Sequence, residues 1–281
     1  MAINEQQYVI LDGEIVKYTD TQIPIYSQRA AKYGDSFFET IKLQNGQPLY
    51  LHLHFERAKK TATLLKFDFP DNWTVNYFET LINKLCQANK ISNGKVNLLF
   101  SRDTEGLYLP LNKGFRYFMS VESSQEELYV LNEKGLQIGE YRELTKNNNF
   151  TSTLKTSNAL IYVLAAIYAK HHRFDECLIF NEAGRVSEFI SSNIMLVIKD
   201  KIITPPFSEY GLDGVMKKVI LQKADAYGYP TEQYPIHSED LFSADEVWCT
   251  NVIKGLQWVG EYRGKTYQNA LAKNVVALLN K

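Results

Sequence analysis

The 281-residue chain lacks any charge excess: 31 Lys and Arg stand against 32 Asp and Glu, a formal net charge of −1. Nucleic acid and anionic membrane surfaces recruit proteins through surplus positive charge, so neither is an expected partner, and small molecules or other protein chains are. Cysteine is scarce: Cys86, Cys177 and Cys249 are odd in number, far apart and without a C-x-x-C pair. That excludes a disulfide framework and a zinc knuckle, and leaves reduced, buried thiols as the expectation. Histidine offers no ligand spacing either. His52 and His54 share one face of an expected strand, His171 and His172 adjoin at a helix end, and His237 stands alone, so no metal centre is expected. Long apolar runs are missing too, since Ala159 to Ala169 falls well short of the roughly 18 residues that a membrane helix needs. The opening MAINEQQYVILDGEIVKY has no basic segment leading into an apolar core, so the expected location is the cytoplasm. What the chain does have is 45% hydrophobic and 13% aromatic residues, enough for a substantial core and for one or two domains.

Hydrophobic period and turn residues divide it. Tyr8 to Tyr18 alternates about Asp12-Gly13, and Phe37 to Leu43 leads through Asn45-Gly46 to Pro48 to His54, two hairpin patterns. A helix is predicted from His54 to Leu65, with Phe55, Ala58, Ala62 and Leu65 on one side. Another is predicted from Trp73 to Ala88 after an Asp71 or Asn72 cap, and strands follow at Lys95 to Ser101 and Phe115 to Val121. Residues 1–122 thus read as a small α+β domain, 123–130 as a linker with a strand at Leu128 to Leu131, and 131–281 as a larger domain. In the larger part Thr145 to Ser152 is polar, Phe150 to Leu154 extended, and Ser157-Asn158 the cap of a helix reaching His172. Strands at Glu176 to Phe180, Glu188 to Ile198 and Lys201 to Thr204 precede a helix opened by Gly214 and running through Tyr227. Strands at Glu246 to Thr250 and Leu256 to Tyr262 and a helix from Asn269 to Leu279 complete the prediction.

Taken singly, a lysine beside a helix start is solvated and a strand glutamate is exposed. Several segments in a fixed order change that reading. They are RAAKYGDSFFET (Arg29 to Thr40), HFER (His54 to Arg57), LKTSN (Leu154 to Asn158), the Gly184 turn followed by VSEFISSNIMLV, Thr204-Pro205 and GLDGVM (Gly211 to Met216). Over nearly its whole length the chain resembles the fold-type IV pyridoxal-phosphate enzymes, which include branched-chain and D-amino acid aminotransferases and aminodeoxychorismate lyase. The resemblance implies an α/β (α+β) architecture of two domains, the larger with a barrel-like sheet flanked by helices. It also implies pyridoxal 5'-phosphate as cofactor, bound in the cleft between the domains, and a homodimer. By this resemblance Lys155 is the lysine that carries the cofactor and then moves the Cα proton, and Glu188 is the anion that keeps the pyridine nitrogen protonated. Arg57 and the amides of Val215 and Met216 would take the phosphate, as helix N-termini and planar guanidinium groups do. Thr250 and Asn251 end a strand where the family has a further phosphate turn, although counting back from Trp258-Val259 puts Val252 at the threonine position.

Reaction type rests on what grips the substrate. The arginine and histidine two apart of the D-amino acid enzymes are absent, because Thr104 follows Arg102, and the tyrosine and arginine of the branched-chain enzymes are absent from Lys95 to Ser101. Ser101-Arg102, Gly106, Tyr108 and Gly214-Val215-Met216-Lys217 look more like aminodeoxychorismate lyase, with Asp103 in place of a glycine. The expected activity is elimination of pyruvate from 4-amino-4-deoxychorismate to give 4-aminobenzoate, a folate-pathway step, with Arg102, Tyr108 and Phe38 as substrate contacts. An amino acid aminotransferase is the alternative, and a non-catalytic cofactor-binding protein the remote one.

Overall fold

The computed structural model describes residues 7–21, 29–102 and 104–281, so Asp103 lies outside the described residues. The chain divides into two compact units. One runs to Glu127 and takes in Lys155–Asn158, and the other comprises Leu128–Leu154 and Ala159–Lys281.

The first unit contains β1 (Tyr8–Leu11), β2 (Glu14–Lys17), α1 (Arg29–Tyr33), β3 (Ser36–Gln44), β4 (Gln47–Pro48), α2 (Leu51–Leu64), α3 (Val75–Asn89), β5 (Gly94–Arg102) and β6 (Phe115–Ser123). Its strands form one antiparallel sheet in the order β2-β1-β6-β5-β3-β4. Strand β5 buries every second residue, as a strand with one covered face must. Ala58, Ala62, Phe78, Ile82 and Leu85 of the helices join Val96, Leu98, Phe100 and Met119 of the sheet in one core. Each large apolar side chain there contributes roughly 1.5–3 kcal/mol.

Two expectations fail in this unit. Pro48 to His54 is not a strand: β4 stops at Pro48, Tyr50 takes φ 56°, and α2 starts at Leu51. Leu51-His52-Leu53-His54 mimics a period of two, but the buried set Leu51, His54, Arg57, Ala58, Thr61 and Ala62 is helical. Helix α3 is capped by Thr74, whose side chain accepts from the Tyr77 amide at 3.2 Å, and not by Asp71 or Asn72.

The second unit contains β7 (Leu136–Lys146), α4 (Leu160–His172), β8 (Glu176–Asn181), β9 (Val186–Phe189), β10 (Asn193–Ile198), β11 (Lys201–Thr204), α5 (Val215–Ala226), β12 (Thr231–Gln233), β13 (Glu246–Asn251), β14 (Gly255–Tyr262), β15 (Lys265–Thr266) and α6 (Ala270–Leu279). The sheet is mixed and ordered β12-β11-β10-β13-β14-β7-β8-β9, with β15 against β14. Its ends meet: Val186 of β9 donates its amide to the carbonyl of Ile236, just past β12, at 2.8 Å. The sheet is therefore barrel-like, as the resemblance implies. Strands β8 and β10 are buried almost throughout, which is why they read as continuous apolar runs.

Here too the structure corrects the sequence reading. Leu128 to Leu131 is not a strand; Tyr129 is fixed there by its amide donating to Asn280 and its hydroxyl to the Val252 carbonyl, each at 2.9 Å. The long strand β7 was not expected. Glu188 to Ile198 is split into β9 and β10, and Phe150–Thr153 is a short 3-10 turn begun by Asn149, so that of the expected extended segment Phe150 to Leu154 only Leu154 is extended. Among the described residues, no helix is long and apolar enough to cross a membrane.

Candidate active site

Lys155–Asn158 is held as an extra edge segment on β3 of the first unit. Phe38 donates its amide to the Lys155 carbonyl at 3.0 Å, and Ser157 donates its amide to Ser36 at 3.1 Å. The Ser36 hydroxyl donates to that of Ser157 at 2.7 Å, and the Asn158 amide group donates to the Gly34 carbonyl at 3.2 Å. Ser157 and Asn158 thus fasten the lysine segment to a sheet, whereas the helix cap expected of them falls to Ala159, without a side-chain bond. The consequence is a fixed backbone under a half-buried lysine whose Nζ lies 4.3 Å from the centre of the Phe38 ring.

Arg57 follows on α2, buried beside Glu39 of β3. Its Nε donates to Glu39 Oε1 at 2.8 Å, its Nη2 bonds to Oε2, and His54 Nδ1 meets Oε2 at 2.7 Å. Burial alone would raise the Glu39 carboxyl, but the Arg57 charge and the hydrogen bonds from Arg57 and His54 pull it down to about 2. Burial pushes His54 the other way, below its usual value, against the pull of Glu39. Neutral His54 then donates from Nδ1, and its buried Nε2 has no hydrogen-bond partner among the described residues. Sequence reasoning placed Arg57 but missed Glu39 and His54, although both lie inside the quoted segments.

In the second unit Glu188 is 3% exposed and receives three donors. Lys146 bonds to Oε1, the Tyr162 hydroxyl donates to the same oxygen at 2.6 Å, and the Leu212 amide donates to Oε2 at 2.8 Å. Burial and the adjacent Glu188 hold the Tyr162 hydroxyl far above its usual range, so it stays protonated. Neither Lys146 nor Tyr162 was singled out from sequence.

Past Glu188 the chain builds a helix start that only glycine permits. A Cβ on Gly214 would lie 1.8 Å from Asn193 Oδ1, and one on Gly211 2.6 Å from the Ser187 carbonyl. Asn193 is itself tied, donating to the Leu212 carbonyl at 2.9 Å. Gly214 caps α5, whose first amides, those of Val215 and Met216, have no acceptor inside the helix. Thr250 of β13 pairs with Asn193 of β10, and its buried hydroxyl has no hydrogen-bond partner among the described residues. Asn251 is spent on its own turn: Oδ1 accepts from the Ile253 and Lys254 amides at 3.1 and 2.9 Å, and Nδ2 donates to Ser191 and Ser192.

Arg102 is engaged elsewhere. Its Nε donates to Asp35 at 3.0 Å, Nη1 to the Lys66 carbonyl at 3.1 Å and Nη2 to that of Leu65 at 2.8 Å, with Phe67 beneath it at 4.0 Å. Every nitrogen of the expected carboxylate grip already has an acceptor. Asp35 also takes Arg29 Nε at 2.7 Å, and the same guanidinium donates to the carbonyls of Gly106, Leu107 and Tyr108. Tyr108 stands out from that loop, 85% exposed, its ring 5.4 Å from Tyr33.

A family model described as amino-transferase class IV matches residues 36–262. The chain belongs to the class IV aminotransferase family. It is similar to an aminodeoxychorismate lyase of Vibrio harveyi, 27% identical over 84% of this chain and 86% of the relative. It is as similar to a D-alanine aminotransferase of Staphylococcus epidermidis, 26% identical over 93% and 91%. Among solved structures, the branched-chain amino acid aminotransferase of Thermobaculum terrenum in its PLP form superposes with a TM-score of 0.86 at 17% identity, covering 98% of this chain and 93% of that one. The last match shows the shared fold-type IV architecture.

Proposed function

We propose that this class IV protein is a pyridoxal-phosphate enzyme that eliminates pyruvate from 4-amino-4-deoxychorismate to leave 4-aminobenzoate. The donor set fits the cofactor. A half-buried primary amine, a buried carboxylate, an arginine, an amide cradle closed to any Cβ and a buried threonine hydroxyl without a partner among the described residues are what an aldehyde, a pyridine nitrogen and a phosphate require. Lys155 would carry it, Arg57, Thr250 and the amides of Val215 and Met216 would hold its phosphate, and Glu188 its ring nitrogen. When bound, pyridoxal phosphate supplies an electron sink for the substrate carbon that loses its proton.

The protein's own work is then proton transfer and charge placement. Lys155 Nζ, on a backbone clamped to β3, takes the substrate proton. Glu39 fixes the plane of Arg57, so the guanidinium is set before the phosphate arrives. The α5 dipole favours the dianion at its N-terminus. Met216 is buried and has no donor in its side chain, leaving its backbone amide for that purpose.

What supports the lyase is the sequence: Thr104 stands where the D-amino acid enzymes have a histidine, Lys95 to Ser101 lacks the tyrosine and arginine of the branched-chain enzymes, and the Vibrio harveyi aminodeoxychorismate lyase is 27% identical. Arg102, held by Asp35, Leu65 and Lys66, decides neither reading, because the substrates of both carry carboxylates. An amino acid aminotransferase is the second reading, favoured by the D-alanine aminotransferase relative, which matches more of the chain. Incubation with aminodeoxychorismate, and separately with L- and D-amino acids plus 2-oxoglutarate, decides. Pyruvate and 4-aminobenzoate support the lyase; glutamate formation without them overturns it.

The same reading includes a homodimer in the cytoplasm. Leu160, Val163 and Ile167 form an exposed apolar stripe on α4, and Leu107, Tyr108, Leu109 and Leu111 an exposed crest on the β5–β6 loop. A second copy would cover them, with Tyr108 at the subunit boundary. All three cysteines are free and buried, and burial raises their thiols, Cys86 to about 11 and Cys177 to about 12, which suits a reducing compartment.

A further inference from the structure

Resting on that cofactor reading, we propose that Lys146 and Tyr162 are positioning residues for Glu188: together they saturate Oε1 and fix the plane of the carboxylate before any cofactor arrives, leaving Oε2 to receive the ring nitrogen. The placement of Lys146 is the first support. Strands β7 and β8 run in register to Tyr141 opposite Ile179, and resume only at Lys146 opposite Asn181. Five steps along β7 therefore face two along β8, an irregularity of the kind that re-aims a side chain. The side chain so aimed is 4% exposed, a burial that an ammonium group tolerates only beside an anion.

Counting acceptors gives the second support. A carboxylate oxygen offers about two lone-pair sites. Lys146 and Tyr162 fill both on Oε1, and Lys146 also donates to the Tyr162 hydroxyl at 2.9 Å, closing a triangle. Oε2 carries only the Leu212 amide, at 2.8 Å, among the contacts described above. Lys217 of α5 also lies within the field of Glu188, with Asp213 beside it.

The arrangement has a geometric consequence. Lys146→Met and Tyr162→Phe each free a lone pair on Oε1, so the carboxylate can turn and Oε2 is no longer held for the ring nitrogen.

The test is titration of cofactor-free protein with pyridoxal phosphate at neutral pH, read by the position of the visible absorption band and by affinity. In Lys146→Met and in Tyr162→Phe the band should shift and affinity should fall about 5- to 10-fold, and Lys146→Arg should restore both, with the borohydride-reducible label still on Lys155 in every variant. A wild-type band and affinity in Lys146→Met overturn the proposal while leaving the cofactor reading intact. Should Lys146→Met not fold, a wild-type band and affinity in Tyr162→Phe overturn it alone. A wild type that does not bind pyridoxal phosphate overturns both readings.

Discussion

Gly214→Ala tests the proposed phosphate cradle with a single methyl group. At φ −71° the backbone suits alanine, so no conformational strain arises at the residue itself. The cost is steric: the new Cβ would stand 1.8 Å from Asn193 Oδ1 and 3.0 Å from its Cγ. Asn193 is 6% exposed and donates to Leu212, so it can yield only by turning and abandoning that bond. Leaving a buried donor and acceptor unmade costs about 1–3 kcal/mol. The amides of Leu212, Val215 and Met216 move with it, and the corresponding loss of pyridoxal phosphate affinity is about 5- to 150-fold. Fluorescence or absorbance titration of the cofactor-free protein measures it. Gly214→Ala/Asn193→Ala, which removes the obstruction, should recover much of the loss. Wild-type affinity in Gly214→Ala would refute the claim that this helix start is a built anion site, as would a double variant no better than the single one.

Thr250→Val replaces a buried hydroxyl that has no partner among the described residues with a methyl, so thermal stability of the cofactor-free protein should hold or rise while cofactor affinity falls about 5- to 10-fold; unchanged affinity would remove Thr250 from the proposed phosphate site. Glu39 gives a pH window. Its folded value, about 2, lies below the ordinary 4.5, so its stabilisation is complete above pH 4.5 and disappears as pH falls toward 2. The amount is on the order of 3 kcal/mol, and His54, also held below its usual value, adds a loss in the same direction. Urea midpoints of the wild type should therefore fall more steeply below pH 5 than those of Glu39→Gln, and parallel slopes would refute the ion pair. Arg29→Lys cannot reach the three carbonyls at Gly106, Leu107 and Tyr108, so hydrogen exchange in residues 105–111 should quicken with the remaining sheet unchanged; equal protection would show that the loop holds itself.

Much of this was legible in the residues because it is local. Asn45-Gly46, the alternation of β5 and the apolar runs of β8 and β10 each carry their own period. The motif lysine, glutamate and Gly-Val-Met helix start lie in short segments whose order is fixed. What stayed hidden depends on partners far away in sequence. Lys146 sits in a polar stretch, and the irregularity before it broke the alternation that would have marked β7. Arg102 looked free because Asp35, 67 positions away, cannot be seen from β5. Glu39 and His54 were inside quoted motifs, yet only the fold shows that they share Arg57.

The central claim is that Lys155 carries the cofactor. The direct measurement is borohydride treatment of the protein loaded with pyridoxal phosphate, followed by peptide mass spectrometry. A pyridoxyl phosphate mass increment on the peptide holding Lys155, with loss of both the label and the visible absorption band in Lys155→Ala, is the predicted result. Labelling confined to another lysine, or a band that survives in Lys155→Ala, would contradict it.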